Sequence, residues 1–423
     1  MTTPATYDEF KRLNMRLDMS RGKPSPEQLD LSRTLIDEAG TAGFMSRDGI
    51  DCRNYGHVLG LPEAREFGAQ LLDIDAAQVI AAGNSSLELM HDALVFAMLH
   101  GVSAQVAAHV SARVPDHAPW SRQGDVAFLC PVPGYDRHFA ICEALGIRMI
   151  AVPMKHDGPD MDAVEALVRH DASVKGIWCM PLYSNPSGAI WSRATIERLA
   201  AMPTAANDFR LFWDDAYRFH HLTDTRNATP DIIELCERAG HADRALVFAS
   251  LSKVTLAGGG VAFLASSRRN VDWWQRHASV RTIGPDKLNQ LRHVRYLRDR
   301  EGLEHLMAKH RALLRPKFDA VAAAFDTLLA DVPDVSRNRP EGGYFISLYA
   351  PKGHAKRTVA LAADAGLVLT PAGAAYPYGR DDEDRHLRIA PSFPSLDEVT
   401  LAARGIALSL RRALEESATS AAR

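Results

Sequence analysis

Short runs of consecutive apolar residues alternate along much of the chain with stretches of helical periodicity. The runs fall at residues 126–130, 147–152, 174–180, 211–213, 245–249 and 261–265, with helical stretches such as 161–169 and 193–202 between them. A strand that is apolar on both faces belongs in a mostly parallel sheet covered by helices on each side. In such sheets ligands gather beyond the carboxyl ends of the strands, so the residues that follow each run carry the information. The run at 126–130 is followed by Pro131-Val132-Pro133-Gly134-Tyr135-Asp136-Arg137, and the run at 174–180 by Pro181-Leu182-Tyr183-Ser184-Asn185-Pro186-Ser187-Gly188. The next two runs lead into Asp214-Asp215-Ala216-Tyr217 and Ser250-Leu251-Ser252-Lys253. Four strand ends thus offer a tyrosine, an asparagine, an acid with a tyrosine, and a lysine.

The flanking segments read differently. A helix is expected over residues 7–15, then an extended arm through Ser20-Arg21-Gly22-Lys23-Pro24-Ser25-Pro26, where two prolines and a glycine forbid helix. A helix over 62–72 has Pro62 at its first position, where the missing N–H costs nothing. Gly83-Asn84-Ser85-Ser86 opens an apolar helix over 87–100. Small residues there expose backbone amides at the positive end of the helix dipole, a ready phosphate site, although Asn84 or Ser85 could simply cap the helix. Residues 271–330 are charged and helical, interrupted at Thr282-Ile283-Gly284-Pro285. Strands at 344–349, 366–369 and 387–390, closed by a helix over 396–414, read as a smaller α+β domain with Arg388 inside its last strand. The small-residue tail at 418–423 is expected to fray.

Composition narrows the classes. With 423 residues the chain should hold more than one folding unit, and 46% hydrophobic with 24% charged residues is ordinary for a globular protein. A net charge of −3 gives no electrostatic case for nucleic acid or an anionic membrane, and no apolar run approaches the ~18 residues of a membrane span. Five cysteines, an odd number without C-x-x-C spacing, predict a reducing cytoplasm with neither zinc nor a disulfide frame.

Lys253 sets the chemistry. A lysine delivered by a buried strand into a cleft can be desolvated, which lowers its pKa and frees the amine to attack a carbonyl. That suits a Schiff base with pyridoxal 5′-phosphate. The cofactor's ring nitrogen needs a carboxylate to stay protonated, and Asp214 is the candidate. Its phenolic oxygen needs hydrogen-bond donors, which Asn185 and Tyr217 can supply, and Tyr135 can stack on the ring. The phosphate would take amides at Gly83-Asn84-Ser85 and hydroxyls of Ser85, Ser250 and Ser252. A substrate α-carboxylate needs a planar, bidentate cation, hence an arginine. Each residue also has a plainer reading: a β-turn at Asn185, a cap at Asp214, a structural ion pair at Arg388, core packing for Tyr135. Their joint order at successive strand ends is what a single cofactor explains.

In this order of motifs the chain resembles the class I/II aminotransferases of pyridoxal-phosphate fold type I. Within them it is similar to a bacterial aspartate aminotransferase subgroup related to the aminotransferase domain of MocR-type proteins. The resemblance is carried by Asn185-Pro186-Ser187-Gly188, Asp214-Asp215-Ala216-Tyr217, Ser250-Leu251-Ser252-Lys253, Glu341-Gly342-Gly343-Tyr344-Phe345 and Leu387-Arg388-Ile389-Ala390. It implies an N-terminal arm and part of the small domain in residues 1–50, a large cofactor domain in 51–290, and an interdomain helix with the small domain in 291–423. It further implies that Lys253 bonds the cofactor and shuttles the proton, that Asp214 meets the ring nitrogen, and that Tyr217 and Asn185 meet the phenolic oxygen. Arg388 would clamp the α-carboxylate, and Gly22 would lie in a mobile arm over the substrate. Tyr55 would reach the phosphate of a neighbouring subunit, which implies a homodimer with shared active sites. The implied reaction moves an amino group from an L-amino acid, aspartate favoured, to a 2-oxo acid, 2-oxoglutarate favoured. A distal carboxylate would need Arg21, Arg137 or Arg281.

Two departures stand out. Gly260 and Val261 occupy the region where the family commonly has a phosphate-binding arginine, which leaves Lys287 as a substitute donor. Val132 stands where the family's stacking aromatic usually does, so Tyr135 is expected to take that role. The rivals are a lyase or synthase on the same scaffold, since Pro-Gly-Tyr-Asp-Arg also resembles aminocyclopropane-carboxylate synthases, and a MocR-type regulator. With about 20 residues ahead of the arm, no DNA-binding domain is expected there.

Overall fold

The computed structural model describes residues 3–38, 43–104 and 116–421. Among these, eight strands form one sheet in the spatial order Val79–Ala81, Ala262–Ala265, Ala245–Ser250, Arg210–Asp214, Val174–Cys179, Ala127–Val132, Arg148–Lys155, Gly158–Pro159. The five strands from Ala245–Ser250 to Arg148–Lys155 run parallel, as their apolar sequences predict. Ala262–Ala265 instead returns antiparallel to Ala245–Ser250. The link between them carries Lys253 and the glycines but no helix, so there is no crossover to bring the chain back in the same direction. Val79–Ala81, not anticipated as a strand, pairs antiparallel on its far side.

Alternate side chains of each strand enter opposite cores. Leu211 and Trp213 join Leu129, Ile177 and Val247 on one face. Phe212 joins Phe128, Trp178, Leu246 and Phe248 on the other, beneath Trp273 and Trp274 of helix Arg268–Arg281. Burying both faces leaves only the strand ends free for chemistry.

A third core forms around a three-stranded antiparallel sheet (Ser336–Arg337, Ile346–Tyr349, His386–Ile389) and the parallel pair Leu17–Asp18 and Leu367–Val368. Helices Arg300–Leu328 and Leu396–Ala421 pack on it, and Tyr7, Phe10, Leu17 and Met19 bring the N-terminal segment into the same core. Several expected boundaries are corrected here. The first helix ends at Arg12, because Asn14 takes a positive φ of 49° and the chain then enters the pairing with Leu367–Val368. The strands expected at 344–349 and 366–369 shorten to Ile346–Tyr349 and Leu367–Val368. The last helix runs on to Ala421 where fraying was expected; residues 422–423 lie outside the described residues. All five cysteines are buried and free, and no described helix is long and apolar enough to cross a membrane.

Candidate active site

The four strand ends converge. A cavity with about 580 Å³ of empty space, its open mouth included, is lined by Tyr135, Asn185, Asp214, Tyr217, Ser250, Ser252 and Lys253, with Ser85 and Ser86 closing one side. Lys253 leaves strand Ala245–Ser250 in a turn fastened by Leu251 N–H on the Val261 carbonyl (2.8 Å). Its Nζ lies 4.9 Å from the centroid of the Tyr217 ring. Burial lowers the pKa of this amine, and Asp214 opposes the shift only in part.

Asp214 is buried, with Oδ1 accepting the Ala216 N–H (3.2 Å) and Oδ2 3.1 Å from Nε2 of His138. The His138 ring stacks on Trp178 with centroids 4.2 Å apart and planes 8° from parallel, and stands edge-on to Tyr135 at 4.9 Å. His138 was not picked out in the sequence. Its signal was there: Tyr135 and His138 are three apart at the start of helix Asp136–Ala144, a spacing that puts both on one face. Burial raises the phenol of Tyr217 well above its ordinary value and pushes Tyr135 up to about 12, so both keep their O–H at neutral pH.

Asn185 sits in a turn pinned from outside: Ser347 Oγ donates to the Pro186 carbonyl (3.1 Å) and Asn338 Nδ2 to that of Ser187 (2.6 Å). Its Oδ1 is buried at the cavity without a hydrogen-bond partner. A buried polar atom left unpaired is costly, and a ligand meeting that carboxamide would remove the cost.

The phosphate side is partly as expected. Ser85 caps helix Ser86–His100, accepting the Glu88 N–H at 3.3 Å, and the start of that helix faces the cavity. Gly83 and Asn84 are not among the cavity-lining residues; Asn84 turns its amide to the Gly258 carbonyl (3.0 Å), and Ser252 Oγ donates to the Asn84 carbonyl. A Cβ on Gly260 would lie 2.7 Å from the backbone N of Ser252, so a side chain there would collide with the turn that presents Lys253. Lys287 does not replace the missing arginine. Its amine donates to the carbonyls of Asn54 and Gly56 and fixes the loop that carries Tyr55, a residue 81% exposed.

Arg388, in strand His386–Ile389, is not among the cavity-lining residues; its guanidinium lies 5.3 Å from the centroid of the Phe345 ring and is paired with Asp136. Gly22 approaches the tip of the Phe345 ring so closely that a Cβ would stand 2.4 Å from its Cζ. Of the distal-carboxylate candidates, Arg281 is engaged by Glu88 and Asp92, while Arg21 and Arg137 are exposed.

Behind Lys253 its backbone is held in turn. The Lys253 carbonyl accepts from Tyr344 Oη (3.4 Å) and His220 Nε2 (3.3 Å), and the Val254 carbonyl from His310 Nε2 (2.9 Å). Gln28, just past the arm, donates to Tyr344 Oη (3.1 Å) and meets His310 Nδ1 at 2.9 Å. Burial takes His220 down to about 3 and His310 to about 4, so both rings are neutral and each Nε2–H is free to donate.

The family profile described as "Aspartate amino-transferase" matches residues 1–421. A Mycolicibacterium smegmatis protein named as an aminotransferase is 50% identical over 403 residues, covering 95% of this chain and 92% of that one. An aspartate aminotransferase of Corynebacterium glutamicum is 45% identical over 401 residues (95% and 90%). The solved structure of an aspartate transaminase from Corynebacterium glutamicum superimposes with a TM-score of 0.92 at 45% identity, covering 97% of this chain and 94% of that one.

Proposed function

Because the chain belongs to the aspartate aminotransferase family and is an aminotransferase, we propose that it moves the amino group of L-aspartate to 2-oxoglutarate, with pyridoxal 5′-phosphate held at Lys253. One observation carries this reading: the part-buried Lys253 amine shares a cavity with the Asp214 carboxylate and the unpaired Oδ1 of Asn185. These residues fit the cofactor. Asp214, backed by His138, would face the ring nitrogen; Asn185, whose carboxamide can present N–H donors when turned over, and Tyr217 would face the phenolic oxygen. Tyr135 would cover one ring face, and the phosphate would lie against the start of helix Ser86–His100 and the hydroxyls of Ser85, Ser250 and Ser252.

When bound, the cofactor withdraws electrons from the substrate's Cα. Lys253 Nζ takes the proton from that carbon and later returns one, and the burial that lowers its pKa keeps more of the amine unprotonated near neutral pH. Arg388 receives the α-carboxylate as a planar fork. The exposed Tyr55, on a loop held by Lys287, supports a homodimer in which it serves the neighbouring site. Buried free thiols support a reducing, cytoplasmic setting.

The test is a panel of amino donors against 2-oxoglutarate, read by the oxo acid formed, with borohydride reduction and peptide mapping of the loaded protein. Oxaloacetate from aspartate and a pyridoxyl group on Lys253 are expected. A label on another lysine, or a different preferred donor, overturns the corresponding half of the proposal.

A further inference from the structure

We propose that Asp136 determines how tightly carboxylates bind: its side chain occupies the Arg388 fork when no substrate is present and is exchanged for the incoming α-carboxylate. The inference rests on the reading of Arg388 as the α-carboxylate clamp.

Asp136 Oδ1 lies 2.7 Å from Nη1 of Arg388 and Oδ2 3.4 Å from Nη2, a carboxylate set alongside the guanidinium as a substrate's would be. The Nε side and one face of the guanidinium are taken. Its Nε–H points to Thr370 Oγ1 (3.4 Å), whose own hydrogen goes to the Ser20 carbonyl (2.8 Å), and Phe345 covers it. The Arg388 side chain is only 8% exposed, so the Nη edge held by Asp136 is where a second carboxylate would arrive. Asp136 follows Tyr135, a wall of the cavity, and its own side chain is 34% exposed, which leaves it free to swing toward solvent.

The chemistry gives this competitor a purpose. Both half-reactions bring a carboxylate to the same arginine and must release another from it. A clamp that bound every carboxylate tightly would lower KM without speeding the chemical step and would retain product. A tethered carboxylate weakens substrates and products alike and restores the neutral pair when they leave. A ligand without a carboxylate cannot displace Asp136.

The probe is succinate, which carries two carboxylates and no amine, titrated calorimetrically into the cofactor-loaded enzyme. In Asp136→Asn its Kd falls about tenfold, the equivalent of ~1.4 kcal/mol, and KM for aspartate and 2-oxoglutarate falls with it while kcat changes less. Asp136→Glu returns both toward the parent values. Asp136→Ser, which keeps a small polar group at the helix start, repeats the gain if the asparagine variant folds poorly. Weaker or unchanged succinate binding in the folded Asn and Ser variants overturns the exchange. Arg388→Lys separates the two layers: if it leaves succinate binding intact, the clamp reading fails. If it weakens binding while Asp136→Asn does not strengthen it, only the exchange fails.

Discussion

At the scale of single residues, the protein keeps an amine where an amine is costly. Burial lowers the Lys253 pKa from 10.5, so between the lowered value and 10.5 the unfolded chain holds a proton the folded chain lacks, and stability rises with pH. Lys253→Met should therefore abolish transamination and yet raise the melting temperature of the cofactor-free protein at neutral pH, with the gain shrinking toward pH 10.5. A lower melting temperature across that range would contradict the assignment. Asp214→Asn, which removes the charge facing the ring nitrogen, should cost about 10³-fold in kcat, the upper range for losing one preorganised electrostatic partner. His138→Gln, which loosens Asp214 without removing it, should cost about 10- to 100-fold, the worth of a hydrogen bond to a charged group. Steady-state kinetics on the two variants gives the order; equal losses would mean His138 does more than hold the carboxylate. That Lys253, Asp214, Asn185, Tyr217 and Tyr135 line one cavity was legible because each lies at or just beyond the end of an apolar strand. His138 was not, because it meets Asp214 across 76 positions of sequence. Asp136 was hidden for the same reason, its partner lying 252 positions away.

Among elements, what the sequence made plain was what local pattern controls. Pro62–Leu72 begins at the proline that predicted it, and the five parallel strands coincide with apolar runs. Strand direction was less legible, since Ala262–Ala265 is as apolar as its neighbours and only the missing helix before it turns it around. Local pattern did not show how the segment before the arm docks, since Ala390 N–H on the Met19 carbonyl (2.9 Å) joins residues at opposite ends of the chain; only the resemblance put residues 1–50 with the small domain. Helix packing offers a direct check. A Cβ on Gly405, within Leu396–Ala421, would stand 2.3 Å from Cζ of Phe10 in Tyr7–Arg12, so the two helices meet only because that side chain is missing. Gly405→Val should destabilise by about 1–3 kcal/mol through overpacking, seen as a lower urea midpoint, and Phe10→Ala in the same chain should recover part of the loss. Additive losses would show that the contact is not shared.

Across the whole molecule, burial of neutral histidines sets the response to acid. His220, His293, His310 and His386 are all buried, and burial lowers their pKa to about 3 for His220 and about 4 for the others. In the unfolded chain each protonates near 6.5, so stability is fully present above that pH and is lost as pH falls from 6.5 toward 4. The slope can reach ~1.4 kcal/mol per pH unit for each ring. Urea midpoints measured at pH 7, 6 and 5 should drop progressively; a level profile would show that these rings titrate normally in the fold. The eight-stranded sheet has one more property, set by its rims. One edge is the three-residue Val79–Ala81; at the other, Gly158–Pro159 covers only Met154 and Lys155 of Arg148–Lys155, whose Met149 N–H goes to Tyr378 Oη (3.0 Å) and whose Pro153 has no N–H to offer. An incoming polypeptide thus finds little ladder to extend at either rim of this sheet, which is a poor template for fibre growth. Concentrated solutions kept well below melting should stay free of cross-β material, and whatever precipitates on heating must come from chains that have already let go of the sheet.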